Sequence, residues 1–201
     1  MTMRDFLDQI DAATNANFYY VACACALAVP DICTGLEASD GRATGARYRT
    51  WFDQWVAPKY GFQGGTSLDG DACYRLRCSL LHEGSALPTG GSFSRVLFVE
   101  PDASGNVFHN NVLNDALNLD VRIFCRDVTD SARTWLTTAE GTEPFATNFE
   151  RFIRRHPNGL APYIVGVPVI GFTFAAGRKG VTGMIGWQSV RYEGPGPRPA
   201  R

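Results

Sequence analysis

The chain has 201 residues, of which 45% are hydrophobic and 19% charged, and its formal net charge at neutral pH is −1. This length is typical of a single domain that buries roughly 70% of its unfolded surface, so a core can form without disulfides or metals. The composition excludes intrinsic disorder, and the small net charge excludes a general attraction for nucleic acid, so RNA contacts require local basic patches.

The N-terminal region predicts neither a signal peptide nor a membrane span. Its most apolar run, 18–29, has about 12 residues against the roughly 20 that a bilayer requires, and the residues before it are mainly acidic. The six cysteines are scattered through apolar segments, which favours free thiols over a disulfide framework or a metal site. We therefore expect a cytoplasmic protein.

Three helices are predicted in the first half of the chain. The first covers 2–29 and is interrupted by Pro30, with 31–36 adding at most one further turn. The second covers 46–57, and its aromatic residues at helical spacing are typical of a core: Tyr48, Trp51, Phe52 and Trp55. The third covers 69–83, and Gly84 stands where a left-handed residue ends a helix.

The second half combines helices with short strands. Segments 94–99 and 106–110 flank a turn-forming stretch and predict a small β-hairpin. Helices are expected at 119–138 and from Thr142 to about residue 155. The remaining apolar runs predict strands at 164–169, 172–175 and 181–187.

These elements predict a mainly α fold with a small β-hairpin insertion and a short β-rich C-terminal segment. We expect one domain over 1–193. The final stretch, 194–201, is rich in Pro, Gly and Arg and is expected to be a disordered tail.

Arg77 and His82, near the predicted end of the third helix, carry the most informative chemistry. A guanidinium binds a phosphate through paired N–H donors and stays charged, while an imidazole exchanges a proton near neutral pH. Together they meet the minimum requirement for cleavage of RNA by its own 2′-hydroxyl. This scheme uses no metal ion, and the sequence has no cluster of Asp and Glu spaced to hold Mg²⁺.

Helix geometry qualifies this pairing. Five residues along a regular α-helix turn about 140° past a full turn, so Arg77 and His82 meet only if the last turn is distorted. Arg75, Ser79 and His82 instead share one stripe, because seven residues make two turns. Arg75 and Ser79 are therefore candidate RNA-binding residues.

Residues 73–84 resemble the R-x4–6-H motif of the HEPN superfamily (higher eukaryote and prokaryote nucleotide-binding domains), and the helical layout across 1–155 is similar in general terms. The resemblance implies a HEPN-like helical bundle and a metal-independent endoribonuclease, with Arg77 and His82 as catalytic residues. It also implies a homodimer whose two motifs face one cleft, and a setting in toxin–antitoxin systems or phage defence, with an antitoxin as a possible partner.

A second basic group supplements this site. Arg151, Arg154 and Arg155 fall within one turn of the predicted helix 142–155 and are candidate contacts for an RNA backbone, although a solvated helix face has the same pattern. The glycines between 166 and 186 fit neither a P-loop nor a dinucleotide-binding motif, so no cofactor is expected.

Two other interpretations remain open for Arg77 and His82. Cys78 follows Arg77 where many catalytic HEPN members carry Asn or Asp, which favours a non-catalytic module that binds a nucleotide, RNA or a partner protein. Alternatively, the two cations simply complement the dipole at the helix C-terminus in a structural or assembly protein.

Overall fold

The computed structural model describes residues 2–62, 65–66, 68–84, 93–101 and 105–172. Within these ranges the fold is mainly α-helical with a few short strands, as the sequence predicts. A 3₁₀ turn, Ala57–Tyr60, follows the third helix, and a π-helical turn, Ser79–Glu83, follows the fourth. The α-helices are α1 (Met3–Asn15), α2 (Tyr19–Glu37), α3 (Gly45–Trp55), α4 (Gly70–Cys78), α5 (Val121–Ala139) and α6 (Glu143–Phe149).

The described strands form four small sheets. One has three strands in the order β3-β5-β4, and the pairs β1–β2, β6–β9 and β7–β8 are antiparallel. The strands are β1 (Gly61–Phe62), β2 (Gly65–Thr66), β3 (Arg95–Val99), β4 (Asn111–Leu113), β5 (Ala116–Asp120), β6 (Arg154–His156), β7 (Gly159–Leu160), β8 (Ile164–Val165) and β9 (Val169–Gly171).

The long N-terminal helix predicted from 2–29 is two helices. Asn17 adopts a left-handed conformation with φ 62°, which ends α1 and redirects the chain into α2. Pro30, expected to interrupt the helix, instead lies inside α2, which continues to Glu37. The pyrrolidine removes one backbone N–H, and in the following turn the Thr34 hydroxyl donates to the Pro30 carbonyl at 2.9 Å.

α2 is the central helix of this part of the molecule, with contacts to α1, α3, α5 and α6. Its 19 residues exceed the short apolar run seen in the sequence, and among the described helices it has the length and composition that a membrane span needs. Half of this apolar segment is buried inside the fold, as in the core helix of a folded domain.

The predicted aromatic face of α3 and the apolar face of the helix predicted at 119–138, which carries Val121, Phe124, Cys125, Val128, Ala132 and Trp135 at helical spacing, form one core. On α3, Tyr48, Trp51 and Phe52 are buried, and Trp51 meets Trp135 of α5 edge to face with ring centroids 6.2 Å apart. The apolar face predicted for α5 is buried throughout: Val121, Phe124, Cys125, Val128, Ala132 and Trp135. All six cysteines are free thiols, four of them buried, as the sequence predicts.

The predicted hairpin between 94–99 and 106–110 is wrong. β3 pairs in parallel with β5, Val96 opposite Leu117, and 106–110 are not in a strand. The hairpin that does form joins β4 to β5 through Asn114 and Asp115, both with positive φ. Asn and Asp tolerate this left-handed turn, so two consecutive residues of this type close the hairpin without a glycine.

The end of the described chain also differs from expectation. α6 ends at Phe149 rather than near residue 155, and 154–156 form β6. The strand predicted over 164–169 is divided into β8 and β9, because Gly166 turns the chain with φ 79°. Residues 173–175, the strand predicted at 181–187 and the tail at 194–201 lie outside the described residues.

Candidate functional site

The site is built on the junction between α4 and the π-helical turn. The Asp69 side chain caps α4 by accepting a hydrogen bond from the Ala72 backbone N–H at 2.8 Å. A Cβ at Gly70 would collide with the Arg49 backbone, so this glycine lets α4 lie close against α3. At the other end, the Gly84 N–H donates to the Ser79 carbonyl five residues earlier, and Gly84 ends the turn with φ 62°.

The π-helical turn brings the two motif residues into contact. Arg77 Nη1 lies 3.0 Å from Nε2 of His82, a hydrogen-bond distance. In a regular α-helix these side chains would point about 140° apart, and the wider π-helical turn reduces that offset. The distortion that the sequence required for an Arg77–His82 pair is therefore present.

Arg77 is held from the opposite side by Asp31 of α2. The guanidinium Nε donates to Asp31 Oδ2 at 2.7 Å, and the two side chains are only 22% and 20% exposed. Since Nε binds Asp31 and Nη1 faces His82, the Nη2 group is left without an acceptor among the residues that the structure describes. Its N–H groups are available to a phosphate oxygen.

Burial shapes the electrostatics of this ion pair. It raises the pKa of Asp31 above the ordinary value of 3.8, although the charge and hydrogen bond of Arg77, together with the nearby His82, act in the opposite direction. Burial also opposes the charge on Arg77, but there the Asp31 charge contributes to a net rise of the pKa. Asp31 is the partner whose charge changes with pH, because a guanidinium stays charged at every accessible pH.

The Arg77 contact assigns the roles of the two groups in their hydrogen bond. A guanidinium donates hydrogen bonds and accepts none, so Nε2 of His82 is the acceptor in this bond. His82 is exposed and is therefore accessible to a polymer.

Arg75, predicted to share a stripe with Ser79 and His82, lies in the last turn of α4. It forms an ion pair with Asp71 one turn earlier, with 2.5 Å between Nη1 and Oδ2. The other Asp71 oxygen accepts from Arg49 Nε at 2.8 Å. Ser79 lies at the start of the π-helical turn and is half-buried.

The three predicted arginines of the second basic group are separated by the early end of α6. Arg151 is exposed in the turn after α6 and lines a groove that reaches Asp31. Arg154 and Arg155 are consecutive residues of β6, so their side chains point to opposite faces of the strand. Arg154 lies over the Phe149 ring, with 5.4 Å between Cζ and the ring centroid.

Asp31 was not among the residues selected from the sequence. It and Glu37 are the charged residues of α2, and Asp31 stands in the middle of an otherwise apolar stretch. A charge in a buried helix needs a partner of opposite sign, so the position of Asp31 in an apolar stretch indicates an ion pair. The sequence alone does not indicate which of the chain's arginines supplies that partner.

No protein-family model, curated protein or solved structure matches this chain. Among the described residues, no three His, Cys, Asp or Glu side chains are placed to share a metal ion. The resemblance to the HEPN superfamily therefore rests on the sequence of residues 73–84 and on the general helical layout.

Proposed function

We propose that this chain is a HEPN-like, metal-independent endoribonuclease that acts as a homodimer in the cytoplasm, in a toxin–antitoxin or phage-defence setting. The observation that carries the proposal is the 3.0 Å contact between Arg77 and His82, created by a π-helical turn. Such turns within helices are frequent at functional sites. A partly buried carboxylate that orients the arginine, Asp31, adds to this support.

The reaction starts when RNA displaces the internal hydrogen bond. A phosphate oxygen carries negative charge and is a stronger acceptor for the guanidinium than the neutral imidazole, so Arg77 turns its N–H groups to the phosphate. Nε2 of His82 is then free to accept the proton of the 2′-hydroxyl. Asp31 keeps its bond to Arg77 Nε and limits this movement to the end of the guanidinium.

The chemistry then follows from the nucleophile that RNA itself supplies. The 2′-oxygen bonds to phosphorus, the bond from phosphorus to the 5′-oxygen breaks, and the leaving oxygen takes a proton from an imidazolium. Arg77 neutralises the charge that accumulates on the phosphoryl oxygens. The products are a 2′,3′-cyclic phosphate and a 5′-hydroxyl, and DNA is resistant because it lacks the 2′-hydroxyl.

A homodimer would supply a second His82 as the proton donor. Leu80, two residues before His82, lines a largely apolar groove of about 210 Å³ together with Tyr19, Tyr20 and Phe98. Tyr20 is 68% exposed. Exposed apolar surface of this kind marks association sites.

Cleavage of single-stranded RNA in excess EDTA tests the activity. Wild type should leave a 2′,3′-cyclic phosphate, and His82→Ala should be slower by about 10²–10⁴, the usual contribution of a positioned acid or base. Arg77→Lys should also lose most activity, because an ammonium keeps the charge but not the paired donors. Arg95→Gln, at an exposed arginine of β3, is the matched control and should cut normally.

Light scattering on wild type and Tyr20→Asp tests the dimer. Tyr20 is exposed, so the substitution should leave the fold intact while placing a charge in the apolar surface. We expect a wild-type dimer, and a monomeric variant with little cleavage. A wild-type monomer at concentrations where RNA is cut contradicts the two-chain site.

The non-catalytic alternative is favoured by one observation, the proximity of Cys78 to the guanidinium. Its Sγ lies 4.0 Å from Arg77 Nη1, at the position where many catalytic HEPN members carry Asn or Asp. RNA or nucleotide binding that depends on Arg77, without any cleavage, would establish this function instead. Cleavage that requires added Mg²⁺ would contradict the site assignment altogether.

A further inference from the structure

A groove of about 260 Å³ begins at the anchor of the candidate site and runs away from it. Asp31, whose carboxylate binds Arg77, is one of its lining residues. Gly35 lies one turn after Asp31 on α2, and a Cβ at Gly35 would lie 3.9 Å from the Gly41 carbonyl oxygen. A Cβ at Gly41 would in turn lie 3.7 Å from Arg151 Nη1, so small residues connect the acidic group to the basic one. Ile32, Ala43 and Phe152 add apolar surface.

The position of Arg151 is fixed by the backbone around it. Asn148 donates through Nδ2 to the carbonyls of Leu36 and Ala38, at 3.0 and 2.7 Å, which ties the end of α6 to the end of α2. The Arg151 N–H in turn donates to the Asn148 carbonyl at 3.0 Å. The Arg151 side chain is exposed at the groove, and its Nη1 lies 3.7 Å from the position that a Cβ at Gly41 would take.

We propose that this groove is the subsite for the nucleotide next to the scissile phosphate, and that Arg151 binds the phosphate flanking it. The inference rests on the proposed ribonuclease function and names where the substrate strand runs. A single-stranded segment fits because a base or ribose would meet the small and apolar lining residues and the flanking phosphate would meet Arg151. The scissile phosphate would meet Arg77, which does not line the groove but is bound to Asp31, a residue that does.

Arg151 differs from Arg154 and Arg155, the other two arginines predicted to bind RNA, because it lines the groove. Arg154 is engaged over the Phe149 ring, and Arg155 lies on the opposite face of β6. Neither lines the groove. Of the three arginines predicted to bind RNA, Arg151 shares a groove with Asp31, which in turn binds Arg77.

The experiment measures binding of a short fluorescein-labelled single-stranded RNA over a series of salt concentrations. All proteins carry His82→Ala so that the RNA stays intact. Arg151→Gln should weaken binding about tenfold or more, as expected for the loss of one charge-assisted contact. It should also lower the slope of log K against log salt by about 0.7, the value for one phosphate contact to a single strand.

Two further variants separate charge from shape. Arg95→Gln removes an equivalent exposed charge elsewhere and should leave both affinity and slope unchanged. Ala43→Leu fills the groove without changing charge, and because Ala43 is exposed in a loop the fold should tolerate it. This variant should weaken binding while keeping the wild-type slope.

The outcomes distinguish this subsite from the function on which it rests. If otherwise wild-type protein cuts RNA but Arg151→Gln matches Arg95→Gln in affinity, slope and cleavage rate, the subsite is wrong and the ribonuclease stands. If Ala43→Leu binds as tightly as its parent, the nucleotide does not occupy the groove. If the protein neither cuts nor binds RNA, both proposals fail together.

Discussion

Replacing Asp31 by Asn separates the positioning of Arg77 from the stability of the fold. The side chain keeps its size and one acceptor oxygen, so the 2.7 Å bond to Arg77 Nε survives between a charged donor and a neutral acceptor. Hydrogen bonds to charged groups contribute about 1.5–3 kcal/mol, and we expect the loss of the acceptor's charge to cost roughly 1 kcal/mol of this. The substitution also relieves the burial of a carboxylate, which acts in the opposite direction.

The sign of the stability change follows from the pKa of Asp31. Burial raises this pKa above 3.8, so the folded chain holds the proton more tightly than the unfolded chain does. The ionised carboxylate therefore lowers the free energy of unfolding at neutral pH relative to acid pH. We expect Asp31→Asn to melt within about 2–4 °C of wild type at neutral pH, the shift that 1 kcal/mol produces in a domain of this size.

Catalysis should respond much more strongly than stability. A guanidinium that is no longer held by a charged partner samples several orientations, and misplacement by about 1 Å costs on the order of 10²-fold in rate. Wild-type cleavage should also fall as the pH drops through the raised pKa of Asp31, because protonation breaks the ion pair. The variant should lack this acid limb.

Single-turnover RNA cleavage over a range of pH, together with thermal melting, measures both effects. Asp11→Asn is the matched control, because Asp11 binds Arg133 at 2.6 Å between α1 and α5, away from the site. It should change stability slightly and leave the pH profile of cleavage intact. If Asp31→Asn cuts at the wild-type rate with the wild-type profile, Asp31 does not position Arg77. A melting temperature far below that of Asp11→Asn would show instead that Asp31 is mainly a structural residue.

Three further predictions concern the fold itself. Fresh, unreduced protein should titrate six thiols after denaturation and melt at the same temperature with and without reductant, and two or more missing thiols would refute this. Gly84→Ala should lower stability by about 1–2 kcal/mol in urea denaturation, because φ 62° is unfavourable for a residue with a Cβ, and Gly84→Asn should lose less. Gly35→Ala should raise the melting temperature, since helix propensity favours Ala by about 0.5–1 kcal/mol and the added Cβ stays 3.8 Å from its nearest neighbour. Equal urea midpoints for the two Gly84 variants, or a lower melting temperature for Gly35→Ala, would contradict the conformations described for these glycines.

The sequence by itself determined the elements whose signals are local. Helical periodicity depends on residues within a turn or two of one another, so it can be recognised in the sequence. It identified the buried faces of α3, with Trp51 and Phe52, and of α5, with Phe124 and Trp135. Asp69 and Gly84 marked the two ends of the segment that carries the motif, since capping and left-handed residues act within one turn.

Tertiary structure decided the features that depend on distant partners. β3 pairs in parallel with β5, and β4 lies between them along the chain. Hairpin signals in a sequence connect neighbouring segments, so they predict an antiparallel partner for β3 in the next segment instead. The π-helical turn is a rare interruption of a helix, and the helical periodicity of the sequence does not indicate where it occurs. Asp31 and Arg77 are 46 positions apart in the sequence, and the spacing of neighbouring residues does not indicate a contact between such distant positions. The sequence therefore supplied the two groups with the chemistry, and the fold supplied their contact and the carboxylate that holds it.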